Sequence, residues 1–225
     1  MEYVIVKSTR RKKTIRIDCA QDGKLQLTFP WRTSDATIQK YIAQNSEKLH
    51  TYRSKILSAR QNVANQTLKF EQGERVLFLG KSYYIDITDD KNISLCGDKL
   101  RFPQAFLPTA TDKLTAWYRS IASTVIIPRA SELARQFGFE FADAKLSNAR
   151  TMWGFCKSSN AIRLSWRLIM ISPAVCDYVI LHELCHTRQH NHSAKFWQEV
   201  ASVCPDWKRL RKQLRTEYNW VVNCI

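Results

Sequence analysis

Apolar residues recur along this chain in two rhythms, and the switches between them divide it. Residues 14–18 and 24–29 alternate apolar and polar at period two and, with the apolar run 3–7, predict strands of an antiparallel β region. Gln21-Asp22-Gly23 supplies a turn between the last two. From Ser34 the rhythm becomes helical. Ile38, Tyr41, Ile42, Leu49, Tyr52 and Ile56 form one stripe, and Ser34 can cap a helix over residues 35–62. The pattern returns to strands in four short runs, 75–79, 82–87, 93–96 and 99–102. Turn residues at Gly80-Lys81, 89–92 and Gly97-Asp98 join them, which predicts an antiparallel meander. The stretch 103–111 contains two prolines and reads as a linker, dividing a β-rich N-terminal region with one long helix, 1–107, from a second domain, 108–225.

The second domain opens with another helical run, 111–137, whose apolar face is Leu114, Trp117, Tyr118, Ile121, Val125, Ile126 and Leu133. Pro128 should kink or interrupt it, and Gly138 should end it. Short strands are expected at 139–141, 145–148, 151–156 and 161–166, with Ser158-Ser159-Asn160 turning the last two into a hairpin. Three helices close the chain: an apolar one after Ser172-Pro173, one over 193–203, and a basic one over 205–218. The last carries Lys208, Arg209, Arg211, Lys212 and Arg215. The mixture is α+β.

Chemistry concentrates in the apolar helix, at His182-Glu183-Leu184-Cys185-His186. Residues four apart share one helix face, so both imidazoles can grip one metal ion from the same side. Glu183 stands beside the first ligand, free to take a proton from a metal-bound water. An apolar segment would otherwise bury three polar side chains without partners, and a cation supplies the partner. His192 is ten residues after His182, the spacing of a three-histidine site, with His190 and Glu199 as competitors. Asn191 tolerates a left-handed turn by which the chain can leave the helix and bring His192 back. Cys185 falls on another helix face, and His50 has no ligand-type neighbour and reads as a structural or surface histidine. Three imidazoles with an open fourth position suit one zinc ion per chain.

Composition narrows the partners. The 225 residues include no apolar run long enough to span a membrane, and the N-terminus lacks the pattern of a signal peptide. Seven cysteines without a Cys-x-x-Cys pair suit reduced thiols in a cytoplasmic protein. The net charge of +15 is spread over both halves of the chain, a weak signal for a dedicated nucleic-acid groove. The stretch from Lys7 to Arg16, with six basic residues, reads as a solvated hairpin edge rather than a phosphate site.

Several separate motifs carry a family resemblance: the Arg-Arg-Lys-Lys-Thr-Ile stretch near the start, Asn148-Ala-Arg150-Thr-Met-Trp153-Gly154, Ile162-Arg-Leu-Ser-Trp166-Arg167, His182-Glu183-x-x-His186, and Asn191-His192-Ser-Ala-Lys-Phe196-Trp197. Together they resemble the YgjP-like family of predicted zinc metallopeptidases, zincins related to the SprT-like and WLM proteases. Phe155 departs from the small residue more common there. The resemblance implies a zincin-like domain with a small mixed sheet packed on the metal helix. It carries over His182, His186 and His192 as ligands and Glu183 as the catalytic base, acting on a peptide or protein substrate. Arg150 and Tyr178 are candidates for binding substrate or stabilising an oxyanion, and the strand 161–166 for holding an extended peptide. Hydrolysis of a non-peptide amide or ester, and a basic nucleic-acid-associated module with a structural metal, stand as the alternatives.

Overall fold

The computed structural model describes residues 3–20, 22–66 and 68–221. Gln21 of the first predicted turn and the cysteine at position 224 lie outside them. The chain forms two compact units, Met1–Asn65 and Gln66–Ile225, so the division falls well before residue 107. Packing explains the difference. Val76, Leu77, Ile85, Leu100 and Phe102, expected in the N-terminal region, share one buried core with the second long helix and the apolar helix.

In the first unit, β1 (Tyr3–Ser8), β2 (Arg16–Cys19) and β3 (Leu25–Pro30) form a sheet in the order β1-β3-β2. β2 and β3 make the expected hairpin, closed by Gly23 N–H donating to the Ala20 carbonyl at 3.0 Å. β1, however, runs parallel to β3, so this region is mixed rather than purely antiparallel. The segment between β1 and β2 has no Gly, Asn or Asp to make a two-residue turn, and its four consecutive cations repel. It crosses to the far side of β3 instead of folding back, so it is not a hairpin edge. α1 (Asp35–Gln66) starts at Ser34, whose Oγ accepts from Thr37 N–H at 3.3 Å. Leu25, Leu27 and Phe29 of the central strand bury against Ile38 and Leu49. His50 is exposed.

The second unit repeats the same three-strand plan twice. β4 (Arg75–Phe78), β5 (Lys81–Thr88), β6 (Ser94–Cys96) and β7 (Lys99–Pro103) lie in the order β4-β5-β7-β6, with β5 and β7 parallel. The predicted meander is therefore wrong in one connection. Leu100 and Phe102 are fully buried while β6 exposes Ser94 and Cys96, so β7 takes the interior position and β6 the edge. β8 (Asp143–Ser147), β9 (Gly154–Cys156) and β10 (Ala161–Ser165) follow suit in the order β8-β10-β9, parallel and then antiparallel. Residues 139–141, expected as a strand, are irregular. Phe139 N–H still donates to Ala134, closing the preceding helix.

That helix, α2 (Ala110–Phe137), buries Ala110, Leu114, Tyr118, Ala122, Ile126, Ala130 and Ala134 as an i, i+4 stripe. Val125, expected inside, is 43% exposed. Pro128 does not end the helix, because it sits on the exposed side, where water can reach the carbonyl left without a donor. Alanines on the stripe let a buried 3₁₀ turn, Trp166–Met170, approach closely. Tyr118 stacks on Trp166 at 6.0 Å between ring centroids, and its hydroxyl donates to the Leu77 carbonyl at 2.7 Å, tying β4 to α2. The β4–β5 turn is anchored in turn to the chain that enters the next helix. Leu79 and Gly80 N–H donate to the Ile169 and Met170 carbonyls. Gly80 has φ +76°, and a Cβ there would lie 2.7 Å from Ser172 Cα. Only glycine meets both conditions.

Three helices complete the unit: α3 (Pro173–Cys185), α4 (Ala194–Val203) and α5 (Trp207–Glu217). α3 is apolar nearly all round and buried on most sides, as its composition demands. Ser172 holds the N-cap place in extended backbone but makes no capping bond, with Gly80 packed on its Cα and Cβ.

The Tyr118 tie gives a stability prediction. Tyr118→Phe leaves the buried Leu77 carbonyl without this donor and should destabilise the second unit by about 1–3 kcal/mol. Urea unfolding followed by tryptophan fluorescence measures it; an unchanged midpoint would remove the tie from the account.

Candidate metal centre

His182 and His186 project from the same face of α3, and the chain brings His192 to them within the seven residues that follow. One ring nitrogen from each of the three lies within 4.8 Å of the others. Nε2 of His182 and Nε2 of His192 are 3.2 Å apart. Tetrahedral nitrogen ligands at about 2.0–2.1 Å from a zinc ion are separated by about 3.3 Å, so this spacing fits a shared ion. The helix ends earlier than the sequence suggests, at Cys185, with His186 already its C-cap. The reason is a main-chain group. His186 Nδ1 lies 2.9 Å from the Gln189 carbonyl, which the turn over 187–189 folds back to meet it. With Nδ1–H donating there, Nε2 of His186 presents its lone pair to the cluster.

The competing ligands are accounted for. Glu199 pairs with Arg188 at 2.5 Å, and that arginine also donates to the Gly138 carbonyl and covers the Phe139 ring. His190 is exposed and outside the cluster. Cys185 faces the core, where burial pushes its thiol up to about 12.

Aromatic rings hold the histidines. Phe196 is fully buried, with its centroid 4.3 Å from that of His186 and 4.9 Å from those of His182 and His192. Trp197 stacks on His192 at 5.7 Å and on Trp207 of α5 at 4.5 Å. Such an apolar floor disfavours imidazolium. Burial, reinforced by its two histidine neighbours, lowers the pKa of His182 to about 3, and burial lowers that of His186. Neutral imidazoles are the form that binds metal. His182 Nδ1 is buried with no hydrogen-bond partner among the described residues.

Glu183 is 5% exposed, and among the described residues no donor reaches its carboxylate. Burial raises its pKa to about 8. A carboxylate so isolated needs a cation nearby to remain ionised, a second observation that fits a metal in the histidine cluster. Its neighbour is Gly154 of β9. A Cβ there would stand 2.7 Å from Glu183 Cγ and 2.9 Å from Oε1, so the side chain occupies space that only glycine leaves. The glycine of the Trp153-Gly154 motif thus positions the carboxylate. Other motif residues act as scaffold. Asn148 Oδ1 accepts from Trp166 Nε1 at 3.0 Å and from Arg119 of α2.

The cleft beside the histidines has a volume of about 230 Å³ and is lined by Trp153, Gly154, Tyr178, Val179, His182, Glu183, His192, Trp197, Arg211, Leu214 and Arg215. Tyr178, predicted as a candidate, is there, its ring 6.0 Å from that of His182 and its hydroxyl pushed up to about 12 by burial. Arg150 is exposed and does not line the cleft. The strand expected to hold a peptide, 161–166, cannot do so. β10 is the central strand, hydrogen-bonded on both sides, and β9 is the edge beside Glu183. Trp153 and Lys157 backbones bond to β10, so by alternation those of Gly154 and Cys156 face the open side. Arg211 and Arg215 were missed, since from sequence they were two cations among many; a periodicity of basic rather than apolar positions on the last helix was the available signal.

No curated protein matches the chain. Among solved structures, it is similar to the crystal structure of the metallopeptidase zymogen of Pyrococcus abyssi abylysin, with 18% identity and a TM-score of 0.38 over 42% of this chain and 95% of that one. The family model described as YgjP-like, metallopeptidase domain, matches residues 13–217 and so takes in every strand from β2 onward, all five helices and the histidine cluster. On that match the chain belongs to the YgjP-like metallopeptidase-domain family.

Proposed function

We propose that this chain is a zinc-dependent peptidase in which His182, His186 and His192 hold the ion and Glu183 is the general base. The observation that carries the reading is the Glu183 carboxylate, buried without a donor beside three convergent imidazoles and against a strand edge that leaves room only for it. A structural zinc site takes four protein ligands and has no use for such a group. Zinc, when bound, supplies a Lewis acid that lowers the pKa of water and polarises a carbonyl oxygen.

The chain's own groups do the rest. A peptide adds to the open side of β9, where the outward backbone groups of Gly154 and Cys156 hold it in extended form beside Glu183. The Glu183 carboxylate takes the proton of the attacking water as the oxygen bonds to the carbonyl carbon, and returns it to the leaving nitrogen when the C–N bond breaks. Tyr178, a protonated hydroxyl lining the cleft, is the better placed of the two oxyanion candidates. Arg150 has no part in this reading.

Metal content by mass spectrometry is the first test. Wild type and Glu183→Gln should each carry about one zinc per chain, and His192→Ala much less. Hydrolysis of a peptide library should fall by ~100-fold or more in zinc-loaded Glu183→Gln, within the range set by loss of general-base catalysis. Full activity in that variant would end the proposed role. Gly154→Ala should retain zinc yet lose at least ~10-fold in kcat, because the added methyl displaces the carboxylate from its place. An unaffected rate in Gly154→Ala would show that the Gly154 contact does not position the base.

A further inference from the structure

The charge of the last helix is not evenly spread once folded. Lys208, Arg211, Lys212 and Arg215 stand at i, i+3, i+4 and i+7, one face of α5, while Leu210 and Leu214 bury the opposite side. With Trp207 and Thr216 they line a cavity of about 610 Å³. Arg211 and Arg215 also line the cleft that holds Glu183 and His192, so the two hollows share an edge. Among the described residues none of the four cations has a carboxylate partner. The two acids of this region are engaged elsewhere, Asp206 with Arg209 at 2.9 Å and Glu217 with Gln213 at 2.9 Å.

Two of the cations are held in place. The Arg211 guanidinium lies 4.9 Å from the Trp197 ring centroid and the Lys208 ammonium 5.7 Å from that of Trp207, and the two rings stack on each other. Trp197 is the residue that also stacks on His192, so Arg211 is mounted on the wall of the metal centre. We infer that this face of α5 selects substrates with acidic side chains close to the scissile bond, Arg211 and Arg215 receiving the residue in the cleft and Lys208 and Lys212 the acidic residues beyond it. The inference rests on the peptidase reading above.

Selection works by exchange. Exposed cations cost nothing while hydrated. A peptide entering the cleft strips water from Arg211 and Arg215, and only a carboxylate replaces it with a charge-assisted bond. Neutral side chains leave that loss uncompensated, and basic ones add repulsion, so discrimination arises from both terms. The same cations would attract nucleic acid, but the aromatic residues offer it little. Trp207 is already stacked on Trp197 and has Lys208 over its ring, which leaves no platform for bases.

The test uses the full zinc-loaded chain and two quenched peptide libraries that differ only in carrying Asp and Glu, or Asn and Gln, around a degenerate centre. Acidic members should be cleaved with kcat/KM ~10-fold or more above their amide counterparts, the scale of one charge-assisted bond. That ratio should fall towards one in Arg211→Gln and in Arg215→Gln and shrink with added salt, while Arg209→Gln, whose side chain is paired off this face, keeps it. Binding is read separately by fluorescence anisotropy of an acidic peptide on Glu183→Gln, and should weaken ~10-fold when Arg211→Gln and Arg215→Gln are added. Equal cleavage of both libraries overturns the inference and leaves the peptidase intact. No cleavage of either library overturns both. Binding of a single-stranded oligonucleotide, but not of the acidic peptide, to this face would assign it to nucleic acid and overturn the inference as well.

Discussion

A carboxylate that is buried, undonated and pressed against a strand with no side chain at the point of contact sets the relation between α3 and its sheet. Glu183 cannot be moved outward without opening the core of α3, and β9 cannot carry anything larger than glycine opposite it. The distance between helix and strand edge at this point is therefore fixed by a steric fit rather than by a hydrogen bond. The same fit places the carboxylate beside the histidines and the strand's open backbone groups beside the carboxylate.

Support for that fit comes from far along the chain. The β4–β5 turn packs Gly80 on Ser172 and bonds to the segment before α3, so the start of the helix is held by a sheet remote in sequence. Tyr118 links the same sheet to α2, and Asn148 joins α2 to Trp166 and to the loop before β9. The other end of α3 is closed by the Gln189 carbonyl on His186 and by Phe196 and Trp197 under all three rings. The helix is thus gripped at both ends and along its length. Histidines on such an element keep their geometry without an ion, which lowers the cost of binding one.

The three sheets share one arrangement, in which the third strand of each set inserts between the first and second. In each case the interior strand is the most buried of its set: β3 with Leu25, Leu27 and Phe29, β7 with Leu100 and Phe102, β10 with Ile162 and Leu164. Burial on both sides, rather than order along the chain, chose the central strand. For the last sheet the consequence is functional. The strand that looked most suitable for a peptide is paired on both sides, and a short strand of three residues supplies the free edge.

The sequence by itself determined what depends on local spacing. The period of apolar residues located the long helices and most strands, because a stripe or an alternation must bury one face. Likewise the placing of His182, Glu183 and His186 follows from the pitch of a single helix, and His192 from its distance along a short chain segment. Tertiary structure alone decided which strands are neighbours, since a period of two says which face is buried but not which partner lies alongside. It alone moved the unit boundary to residues 65 and 66, where the core changes rather than where prolines fall. It also settled the surroundings of the site. The carbonyl that orients His186 is a main-chain group with no signature, Gly154 is recognisable only once Glu183 stands against it, and the four cations of α5 acquire meaning only from the cleft they border. Contacts between residues distant in sequence carry no period, and packing creates them.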